Sequence, residues 1–257
     1  WGVASAGRDT EAILRGASTG ELDALVVGAV DPADFADPAL AYAALAGAGF
    51  VVSLEVRRSA VTEHADVVLP VAPTAEKAGR YVTWEGRRRP FDSTITNTGA
   101  LSDAQVLDAL ADELDVALGL RTVAAARDEL AGFSAYTAAP DSAALRQQRA
   151  PLGQGEAVLA TWHELLDAGR GQDGDPHLAG TAKPARAIVS AGTASKHALT
   201  DRVTVSTDAG SLTVPVEIAV MPDDVVWLPT NSRDCAVRAT LRAAHGSTVK
   251  LGGGDAA

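Results

Sequence analysis

Three apolar stretches set the terms on which this chain can fold: "LVVGAV" from Leu25, "FVVSLEV" from Phe50 and "ADVVLPVA" from Ala65. Their apolarity is continuous rather than alternating, which is how a strand covered on both faces reads. The first ends at Asp31-Pro32. Between the first and second lies "DPALAYAALAGAG", with Pro38 suited to a first helical turn and Gly47 and Gly49 to its end. Strand, helix and strand at this spacing predict a parallel crossover in an α/β layer fold, a Rossmann-like sheet.

Other segments extend that pattern. A short helix is expected over Thr10 to Arg15. In "SDAQVLDALADELDVAL", Ser102 and Gln105 form a capping-box pair, and Leu107, Leu110 and Leu114 share one face that should pack on the sheet. From Leu120 to about Thr181 the chain is Ala-rich and moderately helical, and it is broken by the Gly- and Asp-bearing "GRGQDGDPHLAG". Beyond it the period becomes two. Val203 and Val205, then Leu212, Val214, Val216 and Ile218, flank the turn "DAG", a β-hairpin signal. "DVVWLP" and "STVKLG" read as further strands, and "NSRDCAVRATLRAA" as a helix begun by Asn231 or Ser232. The expected organisation is a Rossmann-like α/β domain over 1–120, a helical connection and linker over 121–180, and a small, mostly β barrel over 181–257.

Charge and cysteine usage narrow the function. The 257 residues suffice for two domains, and 22 Lys and Arg against 33 Asp and Glu leave a net charge of −11. That field repels phosphate backbones and anionic lipid, so neither nucleic acid nor a membrane surface is the expected main partner. The apolar runs reach about a third of the length needed to cross a bilayer, so no direct membrane span is expected. A single cysteine, Cys235, cannot form an internal disulfide, or hold an iron–sulfur cluster or structural zinc by itself. The sequence opens in mid-pattern at Trp1, as a C-terminal portion of something longer or a processed chain would.

Local catalytic motifs are absent. There is no phosphate loop, no His-Glu-x-x-His and no Gly-x-Ser-x-Gly, and "GAGF" at Gly47 precedes a strand rather than a helix. His64, His163, His177, His197 and His245 have no pair at ligand spacing, and Asp223-Asp224 reads as a turn before a strand. Cys235 is either a packed residue or a thiol with its pKa depressed at a helix start. Arg87-Arg88-Arg89 is either a solvated or carboxylate-paired turn, or an anion site. Trp84 and Trp227 are expected to cover sheet edges or a domain seam. No catalytic, cofactor-binding or metal residue is assigned.

The stretch "VVSLEVRRSAVTEHADVVLPVAPTAEKAGRYVTWEGRRRPF" resembles a segment of the molybdopterin oxidoreductase superfamily, with "VLP", then Glu, Gly and a Glu-Gly-Arg turn in that order. "LVVGAVDP" and "LPTNSRDCAVRATL" are similar to its first strand-to-loop element and to the Asn-bearing element of its C-terminal barrel. Within it, the likeness is nearest to the G-subunit family of the bacterial proton-pumping NADH:quinone oxidoreductase, respiratory complex I. The resemblance implies a barrel of the molybdopterin-dinucleotide-binding type and a place in the peripheral arm, on the cytoplasmic side of the bacterial inner membrane. It also implies contacts with other peripheral-arm subunits, around Trp84 to Phe91 and on the barrel, and iron–sulfur clusters upstream of these residues.

The sequence departs from the superfamily's redox members at three positions. Arg80 and Thr83 stand where those members tend to have Thr and Asn, and Asp31 where Asn is usual. Replacing Asn by Asp removes donors and adds repulsion toward an anionic pterin dinucleotide. Arg80 would grip a phosphate or fill the vacated space by pairing with Glu76 or Glu85. The resulting expectation is a scaffold that keeps a cofactor-binding backbone without the cofactor. The alternatives are a molybdenum- or tungsten-pterin oxidoreductase such as a formate dehydrogenase, holding its pterin at Gly28–Pro32, Ala72–Arg87 and Pro229–Cys235, and a free-standing small-molecule binding domain.

Overall fold

A computed structural model describes residues 7–132 and 151–253. The opening Trp1 and the middle of the Ala-rich stretch lie outside the described residues. The described chain divides into two units: residues 7–30 with 43–132, and residues 31–42 with 151–253.

In the first unit, α1 (Thr10–Ser18) leads to β1 (Ala24–Gly28), and α2 (Pro38–Gly47) connects β1 to β2 (Phe50–Glu55). β3 (Val67–Pro70) follows, and the three strands pair in the order β1-β2-β3, all parallel. The register separates two faces. Leu25 opposite Val51 and Val27 opposite Ser53 lie on one. There Val51 packs with Leu45 of α2 and Val61, while Leu25 meets Ala17 of α1 and Ala44 of α2. Val52 and Leu54 lie on the other face, with Val71 and Val106.

Val106 belongs to α3 (Asp103–Glu113), whose capping box forms as expected: Gln105 N donates to Ser102 Oγ, and the Gln105 side chain accepts from Ser102 N. The helix turns a different face to the sheet than the leucine spacing predicts. Val106, Asp108 and Ala111 are buried, while Leu107 and Leu114 are exposed. Burying Asp108 is possible because Leu120 N donates to it at 2.8 Å and Arg121 Nε at 3.2 Å, which offsets the loss of water. Continuous apolarity overstates the cover of the outer strands: β2 is buried on both faces, but Val26 of β1 and Val67 and Val68 of β3 are exposed. A separate antiparallel hairpin, β4 (Gly79–Val82) and β5 (Arg88–Phe91), and a last helix, α4 (Val123–Gly132), complete the described part of this unit.

The second unit is built on a closed six-stranded barrel. β6 (Glu156–Trp162) opens it within the stretch expected to be helical connection. A short α5 (Pro176–Ala179) precedes β7 (Ala187–Val189), and α6 (Ala191–Lys196) precedes β8 (Arg202–Ser206) and β9 (Ser211–Ile218). β10 (Val225–Pro229) is followed by a two-residue pair, β11 (Asn231–Ser232) and β12 (Cys235–Ala236), then α7 (Val237–Leu241) and β13 (Thr248–Gly253). Around the barrel the order is β10-β6-β13-β8-β9-β7, mixed in direction, with β6 parallel to β10 and antiparallel to β13. Inward residues alternate along each strand and make one core: Leu159, Val189, Val203, Val205, Val226, Leu228 and Val249, with Leu241 of α7.

The β8–β9 hairpin falls where "DAG" placed it, and Thr207 N donates to Gly210 O at 2.9 Å. Gly210 has a steric reason: a Cβ there would lie 2.5 Å from the Thr240 carbonyl oxygen. Truncating Leu159 to alanine in this core is expected to cost about 2–5 kcal/mol, and Ser102→Ala at the α3 cap about 1 kcal/mol. Urea denaturation followed by circular dichroism measures both.

Candidate functional site

Parallel pairing brings the carboxyl ends of β1, β2 and β3, at Gly28, Glu55 and Pro70, to one edge of the sheet. In open α/β sheets that edge is where ligands bind, because loop amides left free there can meet an anion. Here the first amides beyond each strand are already used. Ala29 N donates to Leu54 O at 3.3 Å, Val56 N to Glu55 Oε1 at 3.2 Å, Val71 N to Glu55 O at 3.2 Å and Ala72 N to Leu101 O at 2.7 Å. Asp31 accepts from Ala33 N at 3.0 Å and so caps its own short turn, Pro32–Asp34. Glu55 is buried at the same edge. With its amides consumed and carboxylates in place of donors, this edge does not fit the pyrophosphate of a pterin dinucleotide.

The segment Ala72–Arg87 leaves the sheet as a short turn, Thr74–Glu76, and then forms β4 and the tip of its hairpin. The Gly-Arg-Tyr sequence is strand rather than turn, and the reversal falls at Glu85-Gly86-Arg87, with Gly86 at φ 83°. Lys77 Nζ donates to Asp103 at 2.6 Å, and an open groove of about 1020 Å³ runs past Lys77, Gly79, Arg80, Tyr81, Phe91 and Arg127. Arg127 donates to Gly79 O at 3.3 Å. Arg80 pairs with neither Glu76 nor Glu85, and among the described residues Arg80, Arg87, Arg88 and Arg89 make no ion pair. Trp84 covers nothing: at the hairpin tip it is 95% exposed.

At Pro229–Cys235 the structure corrects the expected helix. Asn231 pairs with Ala236 and Ser232 with Cys235 across a tight antiparallel turn, and the helix begins only at Val237. Cys235 is therefore not at a helix start. It is 1% exposed, its Sγ donates to Pro229 O at 3.5 Å, and burial pushes its pKa up to about 11, opposite to an activated thiol.

The remaining candidates are used within the fold. Asp223 accepts from the buried Ser190 Oγ, and Lys196 Nζ donates to Asp224 at 2.6 Å. Among the described residues no group of three His, Cys, Asp or Glu could hold a metal ion. His64 Nδ1 contacts Ala60 O at 3.0 Å, His163 packs its ring on Trp162, and His245 accepts from Thr161 N at 3.4 Å. Desolvation, then Lys196, lowers the His197 pKa against the pull of Asp224. The structure brings the five histidines into no common site, and His177 lies on α5. Sequence reasoning missed the Arg121 clamp: its guanidinium reaches both Asp108 and Asp112, and hydrogen bonding to Asp112 leads the forces that raise its pKa. The signal was Asp108 and Asp112, four residues apart on one helix, with an arginine beyond the turn at Gly119.

The fold class is the one the resemblance implied, a Rossmann-like parallel sheet with helices followed by a small closed barrel. It is similar to acetylene hydratase from Pelobacter acetylenicus, with a TM-score of 0.53 at 14% identity, over 92% of this chain and 42% of that one. The chain is homologous to the G subunit of NADH-quinone oxidoreductase, an enzyme complex of electron transport. It is 50% identical to that protein of Mycobacterium tuberculosis and of Mycobacterium bovis over 98% of its own length, and 44% identical to that of Streptomyces coelicolor. It spans about a third of the length of these curated relatives, 31–32%. No protein-family profile matches it. Among the described residues no helix is long and apolar enough to cross a membrane.

Cys235 gives the testable consequence of this geometry. Its raised pKa means the folded chain disfavours the thiolate, so this contribution to stability is complete below the ordinary thiol value and is lost as pH rises through about 11. Iodoacetamide at pH 8 should leave Cys235 unmodified in the folded chain and alkylate it fully in urea. Mass spectrometry of the intact chain reads the difference.

Proposed function

We propose that these residues are a structural portion of the peripheral-arm G subunit of a bacterial NADH:quinone oxidoreductase, supporting electron transfer from NADH to quinone without chemistry of their own. The observation that carries this reading is the closed carboxyl edge of the sheet. The strand ends at Gly28, Glu55 and Pro70 keep the layout of a ligand-binding edge, while the amides beyond them donate inside the protein. Identity of 50% to the G subunit over 98% of the chain supports the assignment to that protein. On this reading the portion is C-terminal, the iron–sulfur clusters are held upstream of it, and its partners are the other peripheral-arm subunits. The assembly then sits peripherally on the cytoplasmic side of the inner membrane. The domain limits that fit it best are an α/β domain over 1–120, a connection over 121–180 and a barrel domain over 181–257.

Neither the first loop nor Cys235 favours the alternative, a molybdenum- or tungsten-pterin oxidoreductase. Asp31 places a carboxylate where an anionic cofactor needs a donor, and the thiol is buried and protonated at neutral pH. The test is elemental analysis of the full-length protein, purified with its partners from native membranes. Many irons per polypeptide with no molybdenum or tungsten is the expected result. About one molybdenum or tungsten per chain would overturn the scaffold reading.

A further inference from the structure

The β4–β5 hairpin is built as a contact element and is given nothing to touch within the described chain. Its register puts Arg80 and Arg88 on one face with Val82 and Pro90, and Tyr81 and Arg89 on the other with Phe91. Tyr81 stacks on Phe91 at 5.0 Å between ring centroids, and a Cβ on Gly79 would lie 2.5 Å from Phe91 Cζ, so the base of the hairpin is tightly fixed. Thr94 N and Ile95 N both donate to Ala75 O at 2.9 Å and hold the strand that leaves it. Beyond that base Tyr81 is 61% exposed, Val82 63% and Trp84 95%. A two-stranded sheet on its own is marginal in water, so one that holds bare aromatics and an aliphatic in solvent lacks the surface that would cover them.

Charge says what that surface is. The chain has 33 carboxylates for 22 Lys and Arg, yet Arg80, Arg87, Arg88 and Arg89 pair with none of those described. Arginine, tryptophan and tyrosine together are the composition of protein–protein hot spots rather than of a domain core. We propose that this hairpin docks on an acidic face of a neighbouring subunit, with Trp84 as the apolar anchor and the arginines pairing with carboxylates around it. A net charge of −11 opposes a nucleic acid or an anionic membrane as the occupant. The inference rests on the reading of the chain as part of a larger complex, given above.

The test replaces Trp84 by the photo-crosslinking residue p-benzoylphenylalanine in the full-length protein, assembled with its partners in native membranes, and maps the crosslinked peptides by mass spectrometry. The expected product joins this position to a segment of another subunit in which Asp and Glu outnumber Lys and Arg. Raising the salt from about 0.1 M to 0.5 M should cut its yield several-fold, since exposed ion pairs are screened. The variant R87E/R88E/R89E should cut it about tenfold, and R87K/R88K/R89K should largely retain it. A product confined to the protein's own chain, a product with lipid or nucleic acid, no product, or a yield indifferent to salt would overturn the inference. If it fails in a particle rich in iron and free of molybdenum, the structural reading above still stands; molybdenum in the particle would overturn that reading instead.

Discussion

Burial of β2 on both faces is the constraint from which the first unit follows. Val51 through Glu55 are all nearly inaccessible, so helices must cover the sheet on two sides. α1 and α2 supply one side through Ala17, Ala44 and Leu45, and α3 the other through Val106. Fully burying a valine or leucine is worth about 1.5–3 kcal/mol, and the pairing registers tie these contacts to single positions. A strand buried this way needs parallel neighbours joined by crossovers, and parallel pairing in turn brings every carboxyl end to one edge. The layout that resembles a ligand-binding edge is thus a consequence of how β2 is buried. It persists whether or not anything binds.

That separation between layout and chemistry explains how a cofactor-type fold can carry none of the cofactor's contacts. The backbone path is held by apolar packing, which tolerates many loop sequences. An anion site is held by a few free amides and donors, and each is lost by a small change. One aspartate that caps its own turn and one glutamate that takes the next amide are enough to close the edge, while leaving strands and helices where they were. Function lives in the site rather than in the fold.

The sequence was legible where local chemistry and burial agree. β2, β3, α2, the α3 cap and the β8–β9 turn all lie where caps, proline and periodicity place them. It misled where tertiary partners decide. α3 turns Val106 rather than Leu107 inward because Arg121 and the Leu120 amide can satisfy Asp108 below the surface, and no periodicity of apolar residues announces that. β6 was hidden because "EAVLATW" puts alanine at an inward position, where the barrel has little room. Cys235 lies in a two-residue strand because Asn231 and Ser232 pair across a tight turn, although both are equally good helix caps. Of the candidate site, the carboxylate at Asp31 could be read from the sequence, but the fate of the neighbouring amides could not.

The same contrast bears on the hairpin. In an acidic chain a run of arginines is expected to find carboxylates nearby, and elsewhere it does: Arg15 pairs with Glu11, Arg121 with Asp108 and Lys196 with Asp224. Each of those cations is within reach of a carboxylate set by its own helix or the next turn. The hairpin places its cations on a two-stranded ribbon whose own acidic residue, Glu85, sits at the tip and pairs with none of them. A solvated charge costs little when it stays solvated, so charge alone would leave the arginines unexplained. The exposed Trp84, Tyr81 and Val82 beside them do carry a cost in water, and a partner with apolar and acidic groups side by side is the surface that removes it.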